Sequence, residues 1–156
     1  MASVICRLFG MLILIGVIAV LLPVTLPRLM GLQTYHVMSG SMEPAIPTGS
    51  LVYVRSADPM KLEKEDIIAF YQGDEVIMHR VVKNNKFDEL LKTKGDANPT
   101  EDFSEVPYEQ VIGKVFRHIP VLGQVMSVYT SLTGKILILC LLICGVLFNV
   151  LAGRLK

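Results

Sequence analysis

The chain has 156 residues, of which 52% are hydrophobic and 19% charged, with a formal net charge of +1. Its mean hydropathy of +0.52 is too high for an average soluble domain, and the near-zero charge gives no sign of a nucleic-acid partner. All three cysteines, Cys6, Cys140 and Cys144, lie in or beside the apolar ends, so the region between must fold without disulfides.

The first apolar run, Leu8 to Leu26, reads LFGMLILIGVIAVLLPVTL, and the second, Ile136 to Gly153, reads ILILCLLICGVLFNVLAG; neither contains a charge. A spanning helix needs about 20 apolar residues, within a range of about 17–25. A buried core helix would show a polar face, and these runs have almost none. We expect transmembrane helices over residues 8–27 and 135–153, with a single domain over 31–124 between them. The first run exceeds the core of a cleaved signal peptide, about 7–15 residues, and ends in Pro-Val-Thr-Leu-Pro-Arg without a small-x-small cleavage site, so it reads as a retained signal anchor. Arg154 and Lys156 follow the second run, favouring a cytoplasmic C-terminus. Two spans then place both termini in the cytoplasm and the central domain outside it.

After the first run, Thr34 to Met38 reads as a short strand leading into Ser39-Gly40-Ser41-Met42-Glu43-Pro44. Gly40 lets the backbone turn sharply, while Pro44 and Pro47 bias the residues before them away from helix. The expectation is a rigid, extended loop holding Ser41 at an edge. A serine hydroxyl is a weak nucleophile and needs a neighbouring base, so this stretch is equally compatible with an ordinary turn.

Leu51–Val54 and Ile67–Tyr71 read as strands, separated by the charged segment Lys61–Asp66, which reads as a solvated turn. Val76–Val82 follows, and the Asn84-Asn85 pair predicts a tight hairpin before Phe87–Leu91. Alternation puts Ile77, His79 and Val81 on one strand face and Met78, Arg80 and Val82 on the other. On the residues alone, a half-buried histidine satisfied by a backbone carbonyl is favoured over a functional one as the reading of His79. Lys92 to Asp102 reads as a polar loop, and Val111–Phe116 as a last strand. The domain therefore reads as mainly β, with no convincing soluble helix. Its three histidines, His36, His79 and His118, form no close-spaced pair, so neither a metal nor another cofactor is expected.

One serine in a turn-rich loop, one histidine on a strand and acids in a later loop are the parts of a Ser-His-Asp set, which is recognised by geometry rather than by sequence distance. Ser39-Gly40-Ser41-Met42-Glu43-Pro44, His79-Arg80-Val81-Val82 and Lys94-Gly95-Asp96-Ala97-Asn98 occur in the order and spacing of type I signal peptidases. The stretch Thr34 to Gly123 resembles the endoplasmic-reticulum type, shared with archaea and some Gram-positive bacteria. In the usual bacterial enzymes a lysine precedes the Arg-Val pair and serves as base; here His79 stands in its place. Ala97-Asn98-Pro99 replaces the commoner Asn-Asn pair, and the second span is not universal in the family.

The resemblance implies Ser41 as nucleophile and His79 as general base. Asp102 matches the aspartate that orients the histidine, and Asp96 would be a supporting acid; spacing alone does not choose between them. The Ser41 N–H and the Ser39 hydroxyl would form the oxyanion site. It further implies a membrane-anchored serine endopeptidase, a hydrolase that removes signal peptides from exported precursors. Those precursors and the lipid bilayer would be its partners. It would sit as a multi-pass protein in the cell membrane, or in the endoplasmic-reticulum membrane of a eukaryote, with the domain on the non-cytoplasmic side. An extended precursor would pair with a strand edge, and an Ala-x-Ala preference is implied by resemblance only. The alternatives are a non-catalytic tethered binding module with the same fold, and a membrane-anchored β-domain that docks partner proteins. Among rival bases, His36 would need a sharp fold-back to reach Ser41, and strand parity does not exclude Lys83.

Overall fold

The computed structural model describes residues 1–155. The chain divides into two compact units, one formed by Pro27–Gln124 and the other by the terminal segments up to Leu26 and from Val125.

The terminal unit is helical. Helix α1 runs Ala2–Leu29 and α3 runs Leu132–Arg154, each with a mean hydropathy of 2.8 over its most apolar stretch. Both are long and apolar enough to cross a membrane. Within this unit Phe9 lies 6.5 Å from Phe148 between ring centroids, and Gly10 faces the Gly145 carbonyl and Asn149. Small residues at that position let two backbones approach closely. Ser131 caps α3 by accepting from the Gly134 N–H at 3.0 Å. A shorter helix, α2, covers Leu122–Thr130.

Pro27–Gln124 holds a seven-stranded antiparallel sheet of β1 (Gln33–His36), β2 (Leu51–Arg55), β3 (Ile67–Gln72), β4 (Glu75–Asn85), β5 (Leu90–Lys94), β6 (Val106–Pro107) and β7 (Val111–Ile119). Their order across the sheet is β1-β2-β7-β3-β4-β5-β6. The mainly β reading of this region is therefore correct.

Strands β2 and β3 are covered on both faces, and they are near-continuous apolar runs. On β3, Ala69 joins one cluster with Val52, Val54 and Ile112, while Ile68 and Phe70 join a second with Val81, Leu91 and Val106. Strand β4 divides the same way, with Val76 and Met78 toward the first cluster and Ile77 and Val81 toward the second. Each fully buried aliphatic side chain contributes about 1.5–3 kcal/mol relative to exposure. A one-residue slip of register would exchange the two faces, so the pairing of His79 with Ile68 is strongly specified.

Several local expectations are corrected. The Asn84-Asn85 pair does not make the turn; both residues lie inside β4, and the chain reverses over residues 86–89 with Glu89 at φ 56°. The Asn84 amide is committed elsewhere, donating to the Pro59 and Leu62 carbonyls and accepting from the Tyr108 hydroxyl. Asn85 instead closes the longer turn through the Asp88 carboxylate, at 2.5 Å. Lys92–Lys94, read as the start of a polar loop, completes β5. The charged segment before β3 is not only a solvated turn: Pro59–Lys61 forms a short 3₁₀ turn capped by Asp58, Leu62 is buried, and Asp66 pairs with Lys114 on β7 at 2.5 Å. Helix α2 escaped the sequence reading because its Val, Tyr and Thr residues also suit strands.

Candidate active site

Strand β1 delivers the chain into the loop 37–50, which carries Ser39 and Ser41. This loop is not extended. The Ile46 N–H donates to the Met42 carbonyl at 2.8 Å, closing a single helical turn, and the Glu43 N–H donates to Gly40 at 3.0 Å. The cause is burial: Met42 and Ile46, four residues apart, both sink into the first core cluster and draw the loop inward. Glu43 pins the far side, its Oε1 accepting from the Thr48 hydroxyl at 2.8 Å and the Thr48 N–H at 3.2 Å. Those hydrogen bonds hold its carboxyl below the usual carboxylate range. With Met42 anchored inside, Ser41 is half-buried and Ser39 remains exposed, their hydroxyl oxygens 3.4 Å apart.

His79 sits in the middle of β4 with its side chain 10% exposed, and its ring meets Phe70 edge-on at 6.2 Å. Its Nδ1 lies 2.5 Å from Asp102 Oδ2. Facing an ionised carboxylate, Nδ1 carries the proton and donates it, which leaves Nε2 as an acceptor. Asp102 is itself held: Thr93 on β5 donates its hydroxyl to the same Oδ2 at 2.7 Å, and the Asp102 N–H donates to the Thr93 carbonyl at 2.9 Å.

The two candidate acids are divided between neighbouring residues of β4. Asp96 is engaged by Arg80, whose Nε reaches Oδ1 at 2.8 Å and whose terminal nitrogen reaches Oδ2 at 2.6 Å. This two-pronged pairing raises the Arg80 guanidinium above its ordinary range, and a third bond from Arg80 reaches the Glu65 carbonyl at 2.9 Å. Asp96 thus meets Arg80 while Asp102 meets the imidazole.

The Asp96 loop also touches the serine loop. The Ala97 N–H donates to the Ser41 carbonyl at 2.9 Å, and Gly95 lies directly under that carbonyl, where a Cβ would come within 2.7 Å of it and of the Asn98 amide. We expect Gly95→Ala to displace Ser41 and lower activity at least about tenfold while the sheet still melts cooperatively, because misplacing a reacting group by about 1 Å is costly. Unchanged steady-state cleavage by Gly95→Ala would show that this contact does not set the position of Ser41.

Ser41, Ser39 and His79 line one cleft of about 650 Å³, whose walls include Val37, Met38 and Val76. Asp74, in the β3–β4 turn, and Glu75, at the start of β4, stand in the same wall. The cleft follows an open strand edge. Residues Glu75–His79 pair with β3 on one side, whereas the β5 ladder on the other side begins only at Arg80. The rival bases are placed differently: His36 also lines the cleft, while Lys83 is exposed and pairs with Lys92 on β5. A hydroxyl that shares a cleft with an imidazole oriented by a carboxylate is an arrangement suited to general-base attack on an acyl group.

Comparison with known proteins identifies the family. The Peptidase S24-like family matches residues 30–116, more than half of the chain. The chain belongs to that family. Ser39, Ser41, His79, Asp96 and Asp102 all fall inside the matched region. The chain is 40% identical to signal peptidase I W of Bacillus subtilis over 89 residues, covering 54% of this chain and 47% of that protein. It is 33% identical over 112 residues to the signal peptidase complex catalytic subunit SEC11 of Komagataella phaffii, covering 61% and 65%. The SEC11 subunit of Scheffersomyces stipitis is 31% identical over 106 residues, covering 61% and 64%. The matches thus span from about half to just under two thirds of these relatives. The resemblance to type I signal peptidases read from three short motifs is borne out by these matches.

Two features of the site were not read from the sequence. Thr93 was assigned to a loop, although the alternation of Leu91 and Thr93 in Leu90-Leu91-Lys92-Thr93-Lys94 is a strand signal. The Arg80–Asp96 pair had no signal beyond opposite charges in two motifs.

Proposed function

We propose that this chain is a membrane-anchored serine endopeptidase that removes N-terminal signal peptides from exported precursors. Ser41 is its nucleophile and His79 its general base. Asp102 orients the imidazole, and Asp96 supports the site by holding Arg80 and the loop under Ser41. The observation that carries this reading is that His79, bonded through Nδ1 to Asp102, lines the same cleft as Ser41. In the reaction, Ser41 Oγ attacks the scissile carbonyl as His79 Nε2 takes its proton. The imidazolium then protonates the leaving amine, and water releases the acyl-enzyme by the same route. The Ser41 N–H and Ser39 hydroxyl stabilise the oxyanion; losing one such donor typically costs about 3 kcal/mol in the transition state.

The open edge of β4 at Glu75–His79 supports binding of the precursor as an added strand, with main-chain hydrogen bonds giving affinity and alternate side chains entering the cleft. Helix α1 places the enzyme in the bilayer that also holds the precursor, which raises effective concentration without new contacts. The test is cleavage of a precursor by the purified full chain in liposomes. Wild type should cleave and Ser41→Ala should not, although both reconstitute equally; equal cleavage by the two would overturn the reading.

The arrangement in the membrane is part of the proposal: α1 and α3 both span, with the termini in the cytoplasm and the β domain on the other side. A cysteine introduced at Lys64, an exposed residue, should react with a membrane-impermeant reagent in intact cells. Protection there, with labelling only after permeabilisation, would reverse the orientation.

A further inference from the structure

We infer that Thr93 is a positioning residue for the catalytic set, acting on His79 through Asp102. This rests on the peptidase reading above and adds a member to it.

Asp102 lies in the loop between β5 and β6, in a stretch without regular secondary structure. A carboxylate on such a segment is free to rotate about its last side-chain bond unless something fixes it. Thr93 is the residue that does so. It lies opposite Val81 in the β4–β5 ladder, so alternation places it on the same sheet face as His79, two residues before Val81. Thr93 is fully buried, and its hydroxyl donates to Asp102 Oδ2, the oxygen that accepts the hydrogen bond from His79 Nδ1. Its carbonyl meanwhile accepts the Asp102 N–H. One strand residue therefore holds both the backbone and the side chain of the orienting acid. The hydroxyl has no other role given by the fold: a β-branched apolar residue would satisfy this buried strand position equally well.

Thr93→Val separates the two ties, since it removes the hydroxyl and keeps the shape, the burial and the backbone bond. With one of its two partners gone, Oδ2 no longer holds the imidazole in a single orientation. The expected result is a kcat for precursor cleavage reduced about tenfold to a hundredfold, with KM unchanged because the residue does not line the cleft. Thr93→Ser, which restores the hydroxyl, should recover most of that loss.

A double-mutant cycle with Asp102→Asn, measured by prolonged cleavage assays on liposome-reconstituted full chain, distinguishes positioning from mere packing. If Thr93 acts through Asp102, adding Thr93→Val to Asp102→Asn should cost little more. An equal fractional loss in both backgrounds, wild-type kcat in Thr93→Val, or a Thr93→Ser variant as impaired as Thr93→Val would each overturn the inference. Should Thr93→Val fail to fold, Thr93→Ser with near-wild-type kcat and Thr93→Ala with reduced kcat would carry the same comparison. Failure of the underlying reading looks different: Asp102→Asn would itself cleave normally.

Discussion

Asp102→Asn is expected to lower precursor cleavage by about four orders of magnitude while leaving the protein folded and inserted. Asparagine has nearly the same shape and keeps an oxygen that can accept from Thr93. What it loses is the negative charge beside Nδ1, and with it the stabilisation of the imidazolium formed when Ser41 gives up its proton. The amide can also present its NH₂ to the ring, which selects the tautomer with the proton on Nε2 and removes the base. Asp96→Asn should behave differently, because its partner is Arg80 rather than His79. There the loss is one member of a well-ordered ion pair, whose side chains are 26% and 17% exposed. That costs about 1–3 kcal/mol of stability, with activity falling only as far as the loop under Ser41 loosens. Cleavage rates and melting curves of both variants decide the matter. A severe kinetic loss in Asp96→Asn with a mild one in Asp102→Asn would reverse the roles of the two acids.

The sequence carried strands β2 and β3 because both of their faces are packed, so Leu51–Arg55 and Ile67–Gln72 are written as apolar runs bounded by turn residues. It carried His79 onto a buried face for the same reason. It misplaced the β4–β5 turn because Asn84 has a tertiary use, bridging the 3₁₀ turn and Tyr108, that outweighs its local preference for a turn. The loop around Ser41 was read as extended from its prolines. Local proline effects were outweighed by burial of Met42 and Ile46, which only the folded core can reveal. The choice between Asp96 and Asp102 is of the same kind. Six residues apart in one loop, they are chemically equivalent on paper, and their partners are set by which of two adjacent β4 residues faces each. The fold of a sheet is local enough to read from alternation, but the pairing of loop side chains across it is not.

His79→Lys is expected to be inactive or nearly so, although it supplies the residue type that the usual bacterial enzymes carry at this position. A general base must be unprotonated to accept the Ser41 proton. Free imidazole titrates near 6.5 and a free lysine amine near 10.4, so at neutral pH lysine serves only where its surroundings strongly disfavour the charge. The surroundings here do the reverse. The histidine side chain lies against Asp102, whose carboxylate is held in place by Thr93, and an ammonium introduced there would gain a close counter-charge. It would stay protonated and act as half of an ion pair rather than as a base. Geometry adds to the loss, since an imidazole engages the acid at Nδ1 while presenting Nε2 to the serine, and a single ammonium nitrogen cannot be both oriented by the acid and free to accept. Removing the acid as well should help only in part: His79→Lys with Asp102→Asn relieves the charge but not the placement. Precursor cleavage by wild type and His79→Lys, compared across pH 5–10, tests the assignment. His79→Lys should stay inactive at neutral pH, where wild type cleaves. Substantial cleavage by His79→Lys at neutral pH would count against His79 as the base.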